Sequence, residues 1–120
     1  MPSFEPWDII KVPFPYTDRP VRARRPALVV SANGIQQDHG LLWVLMITSA
    51  ANRGWAGDVA VSDLKQAGLP AESVIRTAKI ATIDAKDAER IGHLPASDRS
   101  DVADYLAQRL ASAIPGRETR

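Results

Sequence analysis

The longest apolar run in the chain is LLWVLMI at 41–47, followed at once by two small hydroxyl residues, Thr48 and Ser49. Seven residues are far too few to cross a bilayer as a helix, which takes about 20. As a strand they are the clearest signal in the sequence. Every other apolar run before residue 96 is of similar length or shorter and is bounded by proline, glycine, asparagine or aspartate. Such a chain makes short strands with tight connections.

The order of these runs predicts the architecture. WDIIKVPF (7–14) reads as a strand with Pro13 at an edge or at its end. PYTDRPVRAR is a loop with turn chemistry at Pro15, Thr17, Asp18 and Pro20. PALVVSA is a buried strand, and NGIQQDHG is punctuated by Asn33-Gly34 and Gly40. AANRGWAG is a polar and aromatic loop, DVAVS a short strand, and DLKQAGLPAES a connection. VIRTAKIATI alternates, with Val74, Arg76, Ala78, Ile80 and Thr82 on one side and Ile75, Thr77, Lys79, Ala81 and Ile83 on the other. DAKDAER holds a helical turn and IGHLP another short strand. The tail changes period: Ser97 as N-cap, Asp98 and Asp101 in the first turn, and Val102, Leu106, Leu110 and Ile114 at helical spacing as the helix's core face. Five or six strands and one C-terminal helix predict an α+β, mainly β domain spanning residues 1–120.

Composition narrows the chemistry. The chain has no cysteine, which removes disulfides and thiolate zinc sites, and its two histidines, His39 and His93, are far apart. No metal or other cofactor is expected, and both histidines read as surface or turn residues. MPSFEPWD lacks the charged and apolar regions of a signal peptide, so a cytoplasmic protein without membrane attachment is expected. The formal charge is only +1, so any affinity for nucleic acid must come from local clustering. RARRPALVVS (22–31) supplies such a cluster, with Arg22, Arg24 and Arg25 set against an apolar strand. Like charges packed this closely repel unless an anion sits among them.

WDIIKVPFPYTD, RRPALVVS, VLMITS and VIRTAKIATID, in that order, resemble the signature of the MazF/PemK toxins, the ribonuclease partners in bacterial toxin–antitoxin pairs. The resemblance covers residues 7 to about 94, and the terminal helix also belongs to the pattern. It implies an SH3-like small barrel of the CcdB/Kid/MazF kind with a C-terminal α-helix, assembled as a homodimer. It also implies metal-independent, sequence-selective cleavage of single-stranded RNA to 2′,3′-cyclic phosphate and 5′-hydroxyl ends, and a cognate antitoxin with an acidic, partly disordered tail. By matching motifs, Arg25 stands at the family's catalytic arginine and Thr48 at its catalytic threonine.

The residue chemistry agrees with that implication. Attack by a ribose 2′-hydroxyl builds negative charge on the non-bridging phosphate oxygens, and fixed donors there lower the barrier. Arg25 offers a permanently charged planar fork, and Thr48 a hydroxyl, with Ser49 as a near substitute. Arg22, Arg24, Ser49, Arg53, Trp55, Arg76 and Lys79 are the candidate RNA contacts.

Three departures from the family pattern stand out. TDRPVRAR has no glutamate where many relatives carry one, which leaves the general base unassigned. Ala78-Lys79 replaces an Asp-Gln pair common in relatives, and Trp7 stands where glycine is usual. Plainer readings stay open. Arg22 and Arg24 also suit a solvated loop guarding an edge strand, Thr48 a strand-end residue capping a turn, and Lys79 an ordinary solvated lysine. Trp55 suits either base stacking or a ring folded over the barrel mouth or dimer seam, and Trp43, inside its apolar run, suits the core. Rival functions are a CcdB-like gyrase inhibitor, which needs a Trp-Gly-Ile ending where this chain reads AIPGRETR, and a non-catalytic RNA-binding module.

Overall fold

A computed structural model describes residues 3–14 and 23–116. Its strands are β1 (Asp8–Phe14), β2 (Ala23–Val29), β3 (Leu41–Ser49), β4 (Asp58–Ala60), β5 (Ser73–Asp84) and β6 (Glu89–His93). They form one antiparallel six-stranded sheet in the order β4-β5-β3-β2-β1-β6. Helix α1 (Asn33–His39) precedes β3, α2 (Leu64–Ala67) follows β4, and α3 (Ala96–Ala113) closes the chain. No helix among the described residues is long and apolar enough to cross a membrane.

Successive side chains on a strand point to opposite faces, and this sheet buries both. Ile9, Leu28, Leu45, Ile47 and Ile75 pack with Val102 of α3 and with Leu69 after α2. Ile10, Val12, Ala27, Val29, Leu42 and Val44 form a second cluster on the other face, under Phe4 and Ala85. A strand covered on two sides has no polar face to show, which is why 41–47 reads as an unbroken apolar run.

The expected mainly β domain with a C-terminal helix is present, but its sheet is not closed into a barrel. Among the described residues no ladder joins the edge strands β4 and β6; α2, directly after β4, lies against β6 instead. The contact requires two glycines. A Cβ on Gly68 would run into the Ile91 carbonyl, and one on Gly92 into the backbone of Ala67. Close by, Trp7 enters β1 with φ +77°, a left-handed conformation that favours glycine. It is held there by Trp7 N–H donating to Val29 O at 2.8 Å and by Leu94 N–H donating to Trp7 O at 2.9 Å.

Three sequence expectations are corrected. The alternation in β5 breaks, because Leu45 pairs with Ile80 while the next residue, Met46, pairs with Arg76. Thr77, Ala78 and Lys79 bulge out between them, so Arg76 and Ile80 face opposite sides instead of sharing one. Trp43 is not core: it shares a face with Leu45 but is 44% exposed. The apolar stripe of α3 is core only at its start. Val102 is buried and Leu106 half-buried, whereas Leu110 and Ile114 are exposed. Between the diverging helix and the sheet runs an apolar groove of about 370 Å³ lined by Trp43, Ile80, Leu106 and Leu110. The start of α3 also differs in detail. The helix begins at Ala96 after Pro95, and Asp98 is buried to accept the Ser62 N–H and hydroxyl at 2.9 and 3.1 Å.

Candidate active site

Pro26 shapes the site. It has no N–H to offer a ladder, and the β2–β3 pairing ends one residue away at Ala27, opposite Met46. Carrying that register two residues further brings Arg25 level with Thr48, on the same face of the sheet. Where the ladder stops, a cavity of about 200 Å³ opens, and its lining includes Lys11, Arg25, Thr48, Ser49 and Glu72. Arg25 and Thr48 are both half-buried. The Thr48 hydroxyl oxygen accepts a hydrogen bond from Asn52 Nδ2 at 3.1 Å. Ser49 has a local task, its hydroxyl accepting the Ala51 N–H at 3.2 Å and capping the single 3₁₀ turn Ala50–Asn52.

The β3–β4 loop beside this cavity is anchored from below. Arg76 donates from Nε to Asp58 Oδ1 at 3.2 Å and from Nη2 to Asp58 Oδ2 at 2.9 Å. The same Nη2 reaches the Asn52 carbonyl at 2.7 Å. Asp58 Oδ2 also accepts the N–H groups of Gly54 and Trp55, each at 3.3 Å. Burial pushes the Asp58 carboxyl up, but the Arg76 hydrogen bonds and charge, together with the two backbone donors, outweigh it and leave the pKa lowered. Further along, Thr77 Oγ1 donates to Gly57 O at 2.8 Å and Arg109 of α3 to Ala56 O at 2.5 Å. Trp55 lies flat over this base with Arg76 at 4.1 Å from its ring centre and stays 49% exposed.

Residues 5–110 match the family model for PemK-like, MazF-like toxins of type II toxin–antitoxin systems. The chain belongs to this toxin family. No curated protein sequence matches it, but solved structures do. MazF from Deinococcus radiodurans aligns with a TM-score of 0.74 at 22% identity, covering 92% of this chain and 98% of that one. The Mycobacterium tuberculosis toxin MazF-mt6 aligns at 0.67 and 25% identity, covering 86% and 95%. A mycobacterial endoribonuclease, solved in complex with its cognate antitoxin, aligns at 0.73 and 16% identity, covering 94% and 100%.

For this PemK/MazF-family chain the structure sorts the expected site residues. Arg25, Thr48 and Ser49 meet at one cavity, and Arg53 and Trp55 are exposed on the adjoining loop. Arg76 is turned inward instead of outward: it is 8% exposed and engaged by Asp58, a partner that the strand pattern gives no hint of. Arg24 is on the surface, its Nη2 at 3.4 Å from Glu89 and donating to Lys11 O at 3.3 Å, but it belongs to β2, an interior strand, and so is neither a loop residue nor on an edge strand. Lys79 is exposed on the β5 bulge and is not part of the cavity lining. Arg22 lies outside the described residues. His39 is exposed, and His93 Nδ1 lies 2.8 Å from Asp8 Oδ1, beside Arg90 on the same carboxylate. Sequence reasoning passed over Lys11 and Asn52. Lys11, the one charge within IIKVPF, was the readable signal; Asn52 had none beyond its four-residue spacing from Thr48.

Proposed function

We propose that this toxin is a sequence-selective endoribonuclease that cuts single-stranded mRNA without a metal, arresting translation and growth until a cognate antitoxin covers it. The observation that carries the reading is the meeting of Arg25 and Thr48 at one cavity, level with each other on adjacent strands. In the reaction the ribose 2′-oxygen bonds to phosphorus, the bond to the 5′-oxygen breaks, and a 2′,3′-cyclic phosphate and a 5′-hydroxyl are left. Arg25 binds the non-bridging oxygens through its fork and Thr48 donates its hydroxyl to the same charge. Lys11 adds a positive charge at the rim. Arg53 and the open face of Trp55 take the flanking nucleotides, with stacking worth about 1–3 kcal/mol per base.

The partners follow from the surfaces. An acidic antitoxin segment competes with RNA for the arginine-lined cavity. The exposed apolar groove at Trp43, Ile80 and Leu110 supports assembly as a homodimer. The substrate is cytoplasmic mRNA, and the protein acts there.

The test is to incubate the protein and its Arg25→Ala variant with a long, weakly structured RNA in EDTA and to map the new ends. Discrete cuts with cyclic-phosphate and 5′-hydroxyl termini are expected from the wild type alone. Intact RNA, or equal cutting by a folded Arg25→Ala variant, would sink the assignment.

A further inference from the structure

Thr48 is not alone at the cavity. The amide of Asn52 donates to its oxygen, Nδ2 to Oγ1, at 3.1 Å. Asn52 closes the 3₁₀ turn that follows β3, and its main-chain carbonyl is gripped by Arg76 Nη2 at 2.7 Å. Arg76 is itself fixed by two bonds to buried Asp58. The side chain of Asn52 therefore projects toward Thr48 from a backbone tied to a buried ion pair.

A hydroxyl has one proton to give and two lone pairs to receive. A lone threonine at a strand end tends to give its proton to a nearby carbonyl or to water. An N–H occupying one lone pair turns the hydroxyl proton away from its donor and, by polarising the oxygen, makes that proton a better one to give. We propose that Asn52 is a positioning residue that holds the Thr48 hydroxyl as a donor toward the phosphate, with Arg76 and Asp58 keeping Asn52 in place. The inference rests on the reading of Thr48 as a group that touches the reacting phosphate. It adds a donor aligned before substrate arrives, the condition under which such groups contribute most.

The decisive experiment is a double-mutant cycle on single-turnover RNA cleavage with the variants Asn52→Ala, Thr48→Val and both together. Asn52→Ala is expected to lower kcat about tenfold, the effect of one well-placed hydrogen bond, with KM nearly unchanged. In the Thr48→Val background the same substitution is expected to change nothing. Asn52→Asp keeps the size but can only accept, so it draws the Thr48 proton to itself and falls below Asn52→Ala. Melting temperatures of the Asn52 variants stay at the wild-type value, because the bond to Arg76 is made by the main chain. Equal losses in both Thr48 backgrounds, or an Asn52→Asp variant as fast as wild type, overturn the role of Asn52 while leaving that of Thr48 intact. A fully active Thr48→Val variant overturns both.

Discussion

The guanidinium of Arg76 lies 4.1 Å from the ring centre of Trp55 while its other edge is bound through two nitrogens to Asp58. One buried cation thus carries an exposed aromatic ring on one side and an ion pair on the other. The side chains of the pair are 9% and 7% exposed, so their partnership is decided inside the protein and not by solvent.

Removing one member of the pair leaves the other buried and uncompensated. Asp58→Asn and Arg76→Ala are each expected to destabilise the fold by about 3–5 kcal/mol in urea unfolding. Trp55→Ala, which removes only a half-exposed cation–π contact, is expected to cost about 0.5–1 kcal/mol. An Asp58→Asn variant as stable as wild type would show that the pair only breaks even.

The same carboxylate gives the molecule an acid limit. Its folded pKa lies below the usual value of 3.8, so the unfolded chain takes up the proton first as pH falls. The stability that Asp58 contributes is complete above 3.8 and disappears as pH drops through the lower folded value. Chemical unfolding at stepped pH should show the wild type's advantage over Asp58→Asn shrinking below about pH 4. A gap that stays constant into strong acid would contradict this.

Gly92 and Gly68 let α2 touch β6 backbone to backbone. Gly92→Ala is expected to cost roughly 1–3 kcal/mol or to prevent folding, because the obstacle is main chain that cannot rotate aside. Gly34→Ala, in helix α1 with nothing within 4 Å of the new atom, is the matched control and should unfold at the wild-type denaturant concentration or slightly above it.

At the cavity, shape matters beyond charge. Arg25→Lys keeps the positive charge but loses the planar fork, and RNA cleavage is expected to fall about 100-fold. Arg24→Ala removes an exposed pair with Glu89, worth about 0–1 kcal/mol, and should leave unfolding nearly unchanged. Parallel cleavage and urea assays on the two variants separate these roles.

The sequence was most legible where one strand's pattern decides the outcome. The run at 41–47 and the loop before β4 follow from local order, whereas the roles expected of Arg25 and Thr48 come from the family resemblance and their meeting from the β2–β3 pairing. What escaped it depends on distant chain. Trp43 is exposed because α3 departs from the sheet, and nothing in its own neighbourhood encodes that departure. Arg76 and Ile80 part company at a bulge in β5 that only the pairing with β3 reveals. Asp58 and Arg76 are 18 residues apart, and their pairing needs the β4–β5 register to bring them level. Trp7, noted for standing at a glycine position, does adopt a glycine-like φ, so there the motif anticipated the backbone.

Strand β3 is paired with β5 along its whole length and with β2 over Val44–Met46, and it is packed on both faces. A strand hemmed in on four sides moves only when the molecule as a whole opens. Thr48 therefore sits at the end of a fixed beam, and the anchored loop beyond it adds little give. For a nuclease of the proposed kind, the RNA does the bending. Which sequences are cut then becomes a question of which strands can splay their bases around an unmoving point at least cost.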